Sequence, residues 1–558
     1  MLAMPLLQAM DEYERIKPKE PRKEPVEARL PDLPEDVPGD DNVIVDSLKG
    51  VVLLKIDDKV AEQADATGVD SSRIPLLNTD AYRQKIGYFI GKPISMKRLN
   101  QIVRLTILHH RGKDRPLVDV IVPEQDITNG VVQLVVIEGK VGQVKIEGNE
   151  WFRDELISRR IRTKAGDTVY ASKIRRELES INQNPFRDVN VLFTPGVDKG
   201  LTDVIYQVED RFPIRFYAGY EDTGNQILGE DRQLYGFNWG NAFQQDMEMG
   251  YQFTTSIGIE RYRGHSGYFR APIPWAEHQV SLFGSHASVD APINQFFDEE
   301  GTTWQIGFRY MAPLPSINDY KHYIQGGFDF KRSDTNLIFG GVNIFHPVTD
   351  VTQFSLEYGG SAKDKFGTTS FAITGTASPF KMTNNQRPEV YRQARFNSDP
   401  EYIYGTLVVS RLWDLPEGIT ALTKFTGQLA SQNLLGSEQL GFGGYSTIRG
   451  YYEREYNADQ GFMTTVELRS PRWMVGKVGD IDELASYFQF IGFWDYGFGR
   501  NVELGPIESG HDFSGVGLGA RYNMGTHIAI RFDYAWRLEK GYEKNDGGKM
   551  HLGVVVSY

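Results

Sequence analysis

The sequence predicts a mainly β fold: a transmembrane antiparallel β-barrel of about sixteen strands, preceded by two small α/β domains. Three observations predict it. From residue 212 onward, segments of about 9–13 residues alternate apolar and polar positions and are separated by turns. The 57 glycines, 28 tyrosines and 32 phenylalanines concentrate in that region, a mix that suits curved strands with aromatic girdles. No run of about 18 or more uncharged apolar residues exists to form a transmembrane helix, and mean hydropathy is −0.40.

Composition also excludes several kinds of chemistry. Cysteine is absent, so disulfides, thiolate catalysis and cysteine metal sites are ruled out. A net charge of −13 argues against nucleic-acid binding.

Within residues 1–16, Met1 to Met10 is mildly apolar but lacks a basic start, which fits either a signal remnant or a short amphipathic helix. Residues 17–41 (KPKEPRKEPVEARLPDLPEDVPGDD) read as a linker: proline recurs, charges alternate, and apolar residues are too sparse to build a core. Residues 42–139 form the first α/β domain. NVIVDSLKGVVLL begins as a strand, and 95–110 (SMKRLNQIVRLTILHH) is a helix with Leu99, Ile102, Val103 and Ile107 on one face. PLVDVIVP and VVQLVVIEG follow as strands joined by EQDITNG. Residues 140–210 repeat the plan as β-α-α-β-β, the second helix carrying Ile174, Leu178 and Ile181 on one face.

The barrel occupies 211–558. In its last segment Met550, Leu552, Val554, Val556 and Tyr558 share one face, with His551, Gly553 and Ser557 on the other. In 528–536, Ile528, Ile530, Phe532, Tyr534 and Trp536 oppose Arg531 and Asp533. In 514–522, Val516, Leu518, Ala520 and Tyr522 oppose three glycines and Arg521. In 402–411 either face fits the lipid side. Short connections (NMGT, DLPEG) alternate with long ones, the longest near 378–400 and 431–460, as in outer-membrane barrels. A soluble all-β protein, such as a sandwich or propeller, is the rival fold, but the face opposite the aromatics is charged too often for a sandwich core.

No enzyme signature is present: HExxH, G-x-S-x-G and the P-loop are all missing. His109 and His110 are adjacent on a helix and do not share a face, so no metal site is expected there. No cofactor is expected either. Two features of the barrel are more specific. A long loop contains GFGGYSTIRGYYERE (441–455), and a later strand contains FWDYGFG (493–499). By alternation Phe488, Phe490, Trp494 and Tyr496 face lipid, whereas Phe493 and Asp495 face the lumen. A lumen carboxylate paired with Arg449 from a folded-in loop would pin that loop; the bland alternative is two unrelated solvated charges.

These residues carry a resemblance. The whole plan resembles the two-partner secretion translocators (TpsB type, the ShlB/FhaC/HecB hemolysin secretion/activation proteins) of the BamA-like superfamily. The α/β domains resemble POTRA domains, with 122–149 (VPEQDITNGVVQLVVIEGKVGQVKIEGN) similar to the family's junction between them. GGYSTIRGY (443–451) resembles the loop-six motif, and FWDYG (493–497) its partner strand motif. The resemblance covers nearly the whole chain. There are departures: an insert around 65–79, and Tyr558 where such barrels commonly end in phenylalanine. Residues 1–16 lie where the family has a pore-plugging helix.

The resemblance implies a monomeric translocator in the bacterial outer membrane, with its POTRA domains in the periplasm. These would bind an unfolded, secreted β-helical partner, which then passes through the barrel; activation of the partner is a further expectation. Outer-membrane lipid, lipopolysaccharide and the barrel-assembly machinery are the other implied partners, with Tyr558 in the assembly signal. Arg449, Gly450 and Tyr451 on the loop, with Phe493, Asp495 and Gly497 on the wall, are the implied gate or latch. A BamA- or TamA-like assembly factor is the alternative, and a passive porin ranks third.

Overall fold

The computed structural model describes residues 38–558, apart from 225–227, 274, 293–296, 318–319, 340–341, 346, 478–484, 506–508 and 542–546. The expected plug or signal remnant, and the linker as far as residue 37, lie outside the described residues. The chain divides between Phe212 and Pro213 into two compact units.

Among the described residues the first unit holds two α/β sheets and a two-stranded pairing of Val43–Val45 with Ile94–Ser95. In the first, Gly50–Lys55 runs parallel to Gly68–Asp70 on one side and to Val131–Glu138 on the other, and Val118–Ile121 closes the edge. The helix Met96–Arg111 is capped by Ser95, whose hydroxyl accepts from the Arg98 amide, and it buries Leu99, Ile102 and Ile107. A second helix, Asp80–Gly87, escapes the sequence reading. Its two turns bury only Tyr82 and Ile86, too few positions to establish a helical period. The stretch read as an insert contributes the edge strand Gly68–Asp70.

The second sheet has the expected order of elements. Lys140–Glu147 pairs in parallel with Leu201–Asp210, which pairs antiparallel with Arg187–Pro195. The helices are Asp154–Ser158 and Ala171–Ile181, the latter burying Ile174, Leu178 and Ile181. Its core also holds a carboxylate. Glu177 is 3 % exposed and accepts hydrogen bonds from the Arg162 amide at 2.9 Å, the Thr163 hydroxyl at 2.9 Å and the Tyr206 hydroxyl. A buried acceptor with all its donors in place is stable, whereas stranding those donors is costly. Glu177→Ala is therefore expected to destabilise this domain by about 3 kcal/mol, read as faster amide hydrogen exchange along 201–210, with the barrel strands unaffected.

The second unit is a closed barrel. Its wall begins with β1 (Ile214–Glu221), β2 (Arg232–Ala242), β3 (Met247–Thr255) and β4 (Tyr262–Ile273). It continues with β5 (His278–Pro292), β6 (Phe297–Pro313), β7 (Tyr320–Phe339) and β8 (Val348–Asp364). Next come β9 (Gly367–Ser378), β10 (Tyr402–Asp414), β11 (Thr420–Ala430) and β12 (Gln460–Arg469). The last four are β13 (Ser486–Arg500), β14 (His511–Met524), β15 (Ile528–Arg537) and β16 (Lys549–Ser557). Each pairs antiparallel with its neighbours, and β16 pairs back onto β1 from Tyr217↔Ser557 to Glu221↔Gly553. Among the described residues this makes sixteen wall strands. The short segments Val342–Phe345 and Trp473–Gly476 add rungs beside β7 and β13.

Alternation sets the two faces. On β13, Phe490 and Trp494 are 54 % and 42 % exposed on the outer face, while Phe493 and Asp495 are 4 % and 0 % exposed on the inner one. The ambiguous segment resolves on β10: Ile403 points outward, and Tyr402 and Tyr404 are buried with Tyr391, Leu434 and Leu435. Those partners come from the long connections, so no local pattern could have placed the two tyrosines inside.

Candidate functional site

The connection between β11 and β12 folds into the barrel. At its root Leu440–Phe442 pairs with Tyr456–Ala458, a short hairpin that sends the intervening chain inward. Phe442, Ile448 and Tyr451 are fully buried and pack with Ala458, Met463 and Phe513. At the tip Gly450 adopts φ +100°, a conformation that L side chains rarely take. Its amide donates to His551 Nε2 at 3.2 Å, and its carbonyl accepts from Arg537 Nε.

Arg449 is fastened on every side. Its Nε donates to Asp495 Oδ2 at 2.7 Å and its Nη2 to Asp495 Oδ1 at 2.9 Å, a bidentate fork. Its backbone amide adds a third bond to Asp495 at 3.1 Å. Nη1 donates to Glu467 Oε1 on β12 at 2.8 Å and lies 4.0 Å from Asp533 on β15. The guanidinium sits 3.5 Å above the centre of the Phe493 ring, a cation–π contact in a water-poor place. Two further arginines balance the charge: Arg469 donates to Glu467 at 2.9 and 2.5 Å, and Arg521 to Asp533 at 3.0 and 2.9 Å. Three guanidiniums thus face three carboxylates.

The wall is shaped to receive the tip. A Cβ added at Gly515 would lie 2.0 Å from the Arg449 carbonyl oxygen, and one at Gly497 would lie 2.5 Å from Ile448. Tyr451 anchors the other side. Its hydroxyl lies 2.7 Å from the Glu539 carbonyl and accepts from the Ser514 amide at 3.1 Å, and its ring meets Phe513 edge-on at 5.1 Å.

The six residues named from the sequence thus converge: Arg449, Gly450 and Tyr451 on the loop, Phe493, Asp495 and Gly497 on the wall. Tyr558 stands apart, 88 % exposed. Its backbone exchanges hydrogen bonds of 2.9 and 3.1 Å with Phe216, finishing the β16–β1 seam. Glu467, Asp533, Arg521 and the Gly515 groove escaped the sequence reading as members of the site. The alternation that put Asp495 inside also puts Glu467 inside, but nothing local says which lumen charges meet. Among the described residues no group of three or more His, Cys, Asp or Glu is arranged to hold a metal ion.

Comparison with known proteins places this architecture. The family described as haemolysin secretion/activation protein ShlB/FhaC/HecB matches residues 200–522. A POTRA domain of ShlB type matches 65–139, and a second POTRA, described as a surface antigen variable number repeat, matches 139–211. The heme/hemopexin transporter protein HuxB of Haemophilus influenzae strain 86-028NP is 19 % identical over 501 residues, 86 % of this chain and 84 % of that protein. The outer membrane transporter CdiB of Dickeya dadantii strain 3937 is 24 % identical over 380 residues, 65 % of this chain and 64 % of that protein. CdiB from Escherichia coli superposes with a TM-score of 0.70 at 15 % identity, covering 99 % of this chain and 96 % of its own. BamA from Haemophilus ducreyi lacking POTRA domains 1–3 gives 0.52 at 13 % identity, covering 92 % and 100 %. These two likenesses speak to the fold. With the family match spanning most of the barrel, the chain belongs to the ShlB/FhaC/HecB haemolysin secretion/activation family and is an outer-membrane barrel with periplasmic POTRA domains.

Proposed function

We propose that this chain exports an unfolded secreted partner protein through its lumen, and that the Arg449 clamp is the latch of the gate. One observation carries the reading: a loop folded in against the inner face of the wall is held by a buried bidentate Arg449–Asp495 pair. Such a pair is strongly directional and has a second, solvated state available to both ions. A passive porin has no use for it. The POTRA sheets supply the capture surface. Val118–Ile121 and Arg187–Pro195 are edge strands, and an extended partner segment adds to such an edge by backbone hydrogen bonds. Folding of a β-helical partner outside the cell then draws the chain through without ATP, and passage through the barrel activates it. The translocator works as a monomer surrounded by lipid and lipopolysaccharide, placed there by the barrel-assembly machinery reading Tyr558.

A second reading, an assembly factor for other barrels, is favoured by the likeness to BamA. Deleting the gene separates the two. Loss from the medium of a large β-helical protein encoded beside it, with other outer-membrane proteins at normal levels, is the expected result. Depleted barrels throughout the outer membrane with secretion intact would establish the assembly role instead.

A further inference from the structure

The Arg449 clamp is not the only buried ion pair holding a long connection. Asp459, the last residue before β12, is fully buried and its carboxylate accepts five hydrogen bonds. Arg395 supplies two, from Nη1 at 2.5 Å and Nη2 at 3.1 Å. The Leu434 amide donates at 2.9 Å, Gln439 Nε2 at 3.1 Å and the Val502 amide at 3.1 Å. These donors belong to three connections: β9–β10, β11–β12 and β13–β14. With the POTRA domains in the periplasm, β1 starts on that side, so all three connections lie on the outer side.

Neighbouring contacts repeat the pattern. Asn433 Nδ2 donates to the carbonyls of Phe396 at 3.0 Å and Glu503 at 2.9 Å, and its Oδ1 accepts from the Glu503 amide at 2.8 Å. Asn397 Nδ2 donates to Glu503 Oε2 at 2.6 Å. The β9–β10 connection is itself tied to the wall: Thr383 donates to Asp350 at 2.7 Å, and the Tyr391 hydroxyl to the Asp350 carbonyl at 2.6 Å.

We infer that Asp459 is a positioning residue that clasps residues 379–401, 431–458 and 501–505 of these connections into one lid, a second tie on the connection that carries the Arg449 latch. The physical reason is the number of donors on one carboxylate. No single connection leaves without stranding the buried charge, so the three leave together. The inference rests on the export reading for its purpose, but it is tested without a partner protein.

The test uses the full chain in planar bilayers, with potassium chloride as the probe. Two variants are needed. Asp459→Asn keeps the shape and removes the charge; openings are expected about tenfold more often or better, with Arg449 and Asp495 untouched. Ser398 and Asn433 form an isolated bridge, and the chain has no cysteine of its own. A Ser398→Cys, Asn433→Cys double variant therefore carries a single disulfide across two of the connections. It is expected to lose large openings when oxidised and regain them with dithiothreitol. Heat-modifiable gel mobility confirms a folded barrel in each case. Wild-type gating in Asp459→Asn, or equal conductance of the double variant before and after reduction, overturns the clasp. Neither outcome bears on whether the chain secretes a partner, which the gene deletion decides.

Discussion

Arg449→Ala is expected to leave a closed, heat-modifiable barrel and to cut secretion of the partner at least tenfold. The barrel survives because its wall is a continuous ring of backbone ladders in which the loop takes no part. The loop does not survive in place. Removing the guanidinium leaves Asp495 and Glu467 buried without their shared cation, a loss on the order of 3–5 kcal/mol for one partner of a buried pair. Loss of the contact with Phe493 adds about 1–2 kcal/mol. Together these outweigh what the apolar packing around Tyr451 restores. Arg449→Lys is expected to fall in between, because an ammonium keeps the charge but not the fork. Secretion assayed in the medium, with surface-exposed barrel quantified in the same cells, is the measurement. Normal secretion by the alanine variant would refute the latch.

Gly515→Val should open the same gate from the opposite side. No charge is touched. A Cβ at Gly515 falls 2.0 Å from the Arg449 carbonyl oxygen, so the side chain and the loop tip cannot occupy the lumen together. The β14 backbone tolerates valine well, since a β-branched residue suits a strand. The expected result is a folded barrel with a large, persistent conductance. Gly492→Ala on neighbouring β13 is the control: its Cβ meets nothing nearer than Leu518 Cδ2 at 3.9 Å, and wild-type gating is expected. Equal conductance in the two variants would mean that the tip does not block the pore.

How much of this was legible follows from the range of the interactions. The barrel is written at period two, so β13 to β16 and the inward placement of Asp495 could be read strand by strand. The second POTRA domain was equally plain, because its helix Ala171–Ile181 repeats an apolar face over three turns. The short helix Asp80–Gly87 was not, and neither was the inward turn of Tyr402 and Tyr404, which depends on Leu434 and Leu435 about thirty positions away in the β11–β12 connection. Arg449 and Asp495 were identifiable because each sits in a compact motif. Arg395 and Asp459 were not: each is one charge among many, and the structure alone brings them within 2.5 Å.

The balance of charge around the latch has an electrical consequence. With the loop seated, Arg449, Arg469 and Arg521 offset Asp495, Glu467 and Asp533. When the loop leaves, this ring loses Arg449 and keeps three carboxylates against two guanidiniums, while the loop's Glu455 parts from Arg537 farther along β15. The vacated ring then favours cations over anions, as rings of acidic side chains do in cation channels. A potassium chloride gradient across the bilayer should give an open-state reversal potential displaced toward that of potassium. A polypeptide threading the open pore would find its lysines and arginines welcomed at this level and its acidic runs held back.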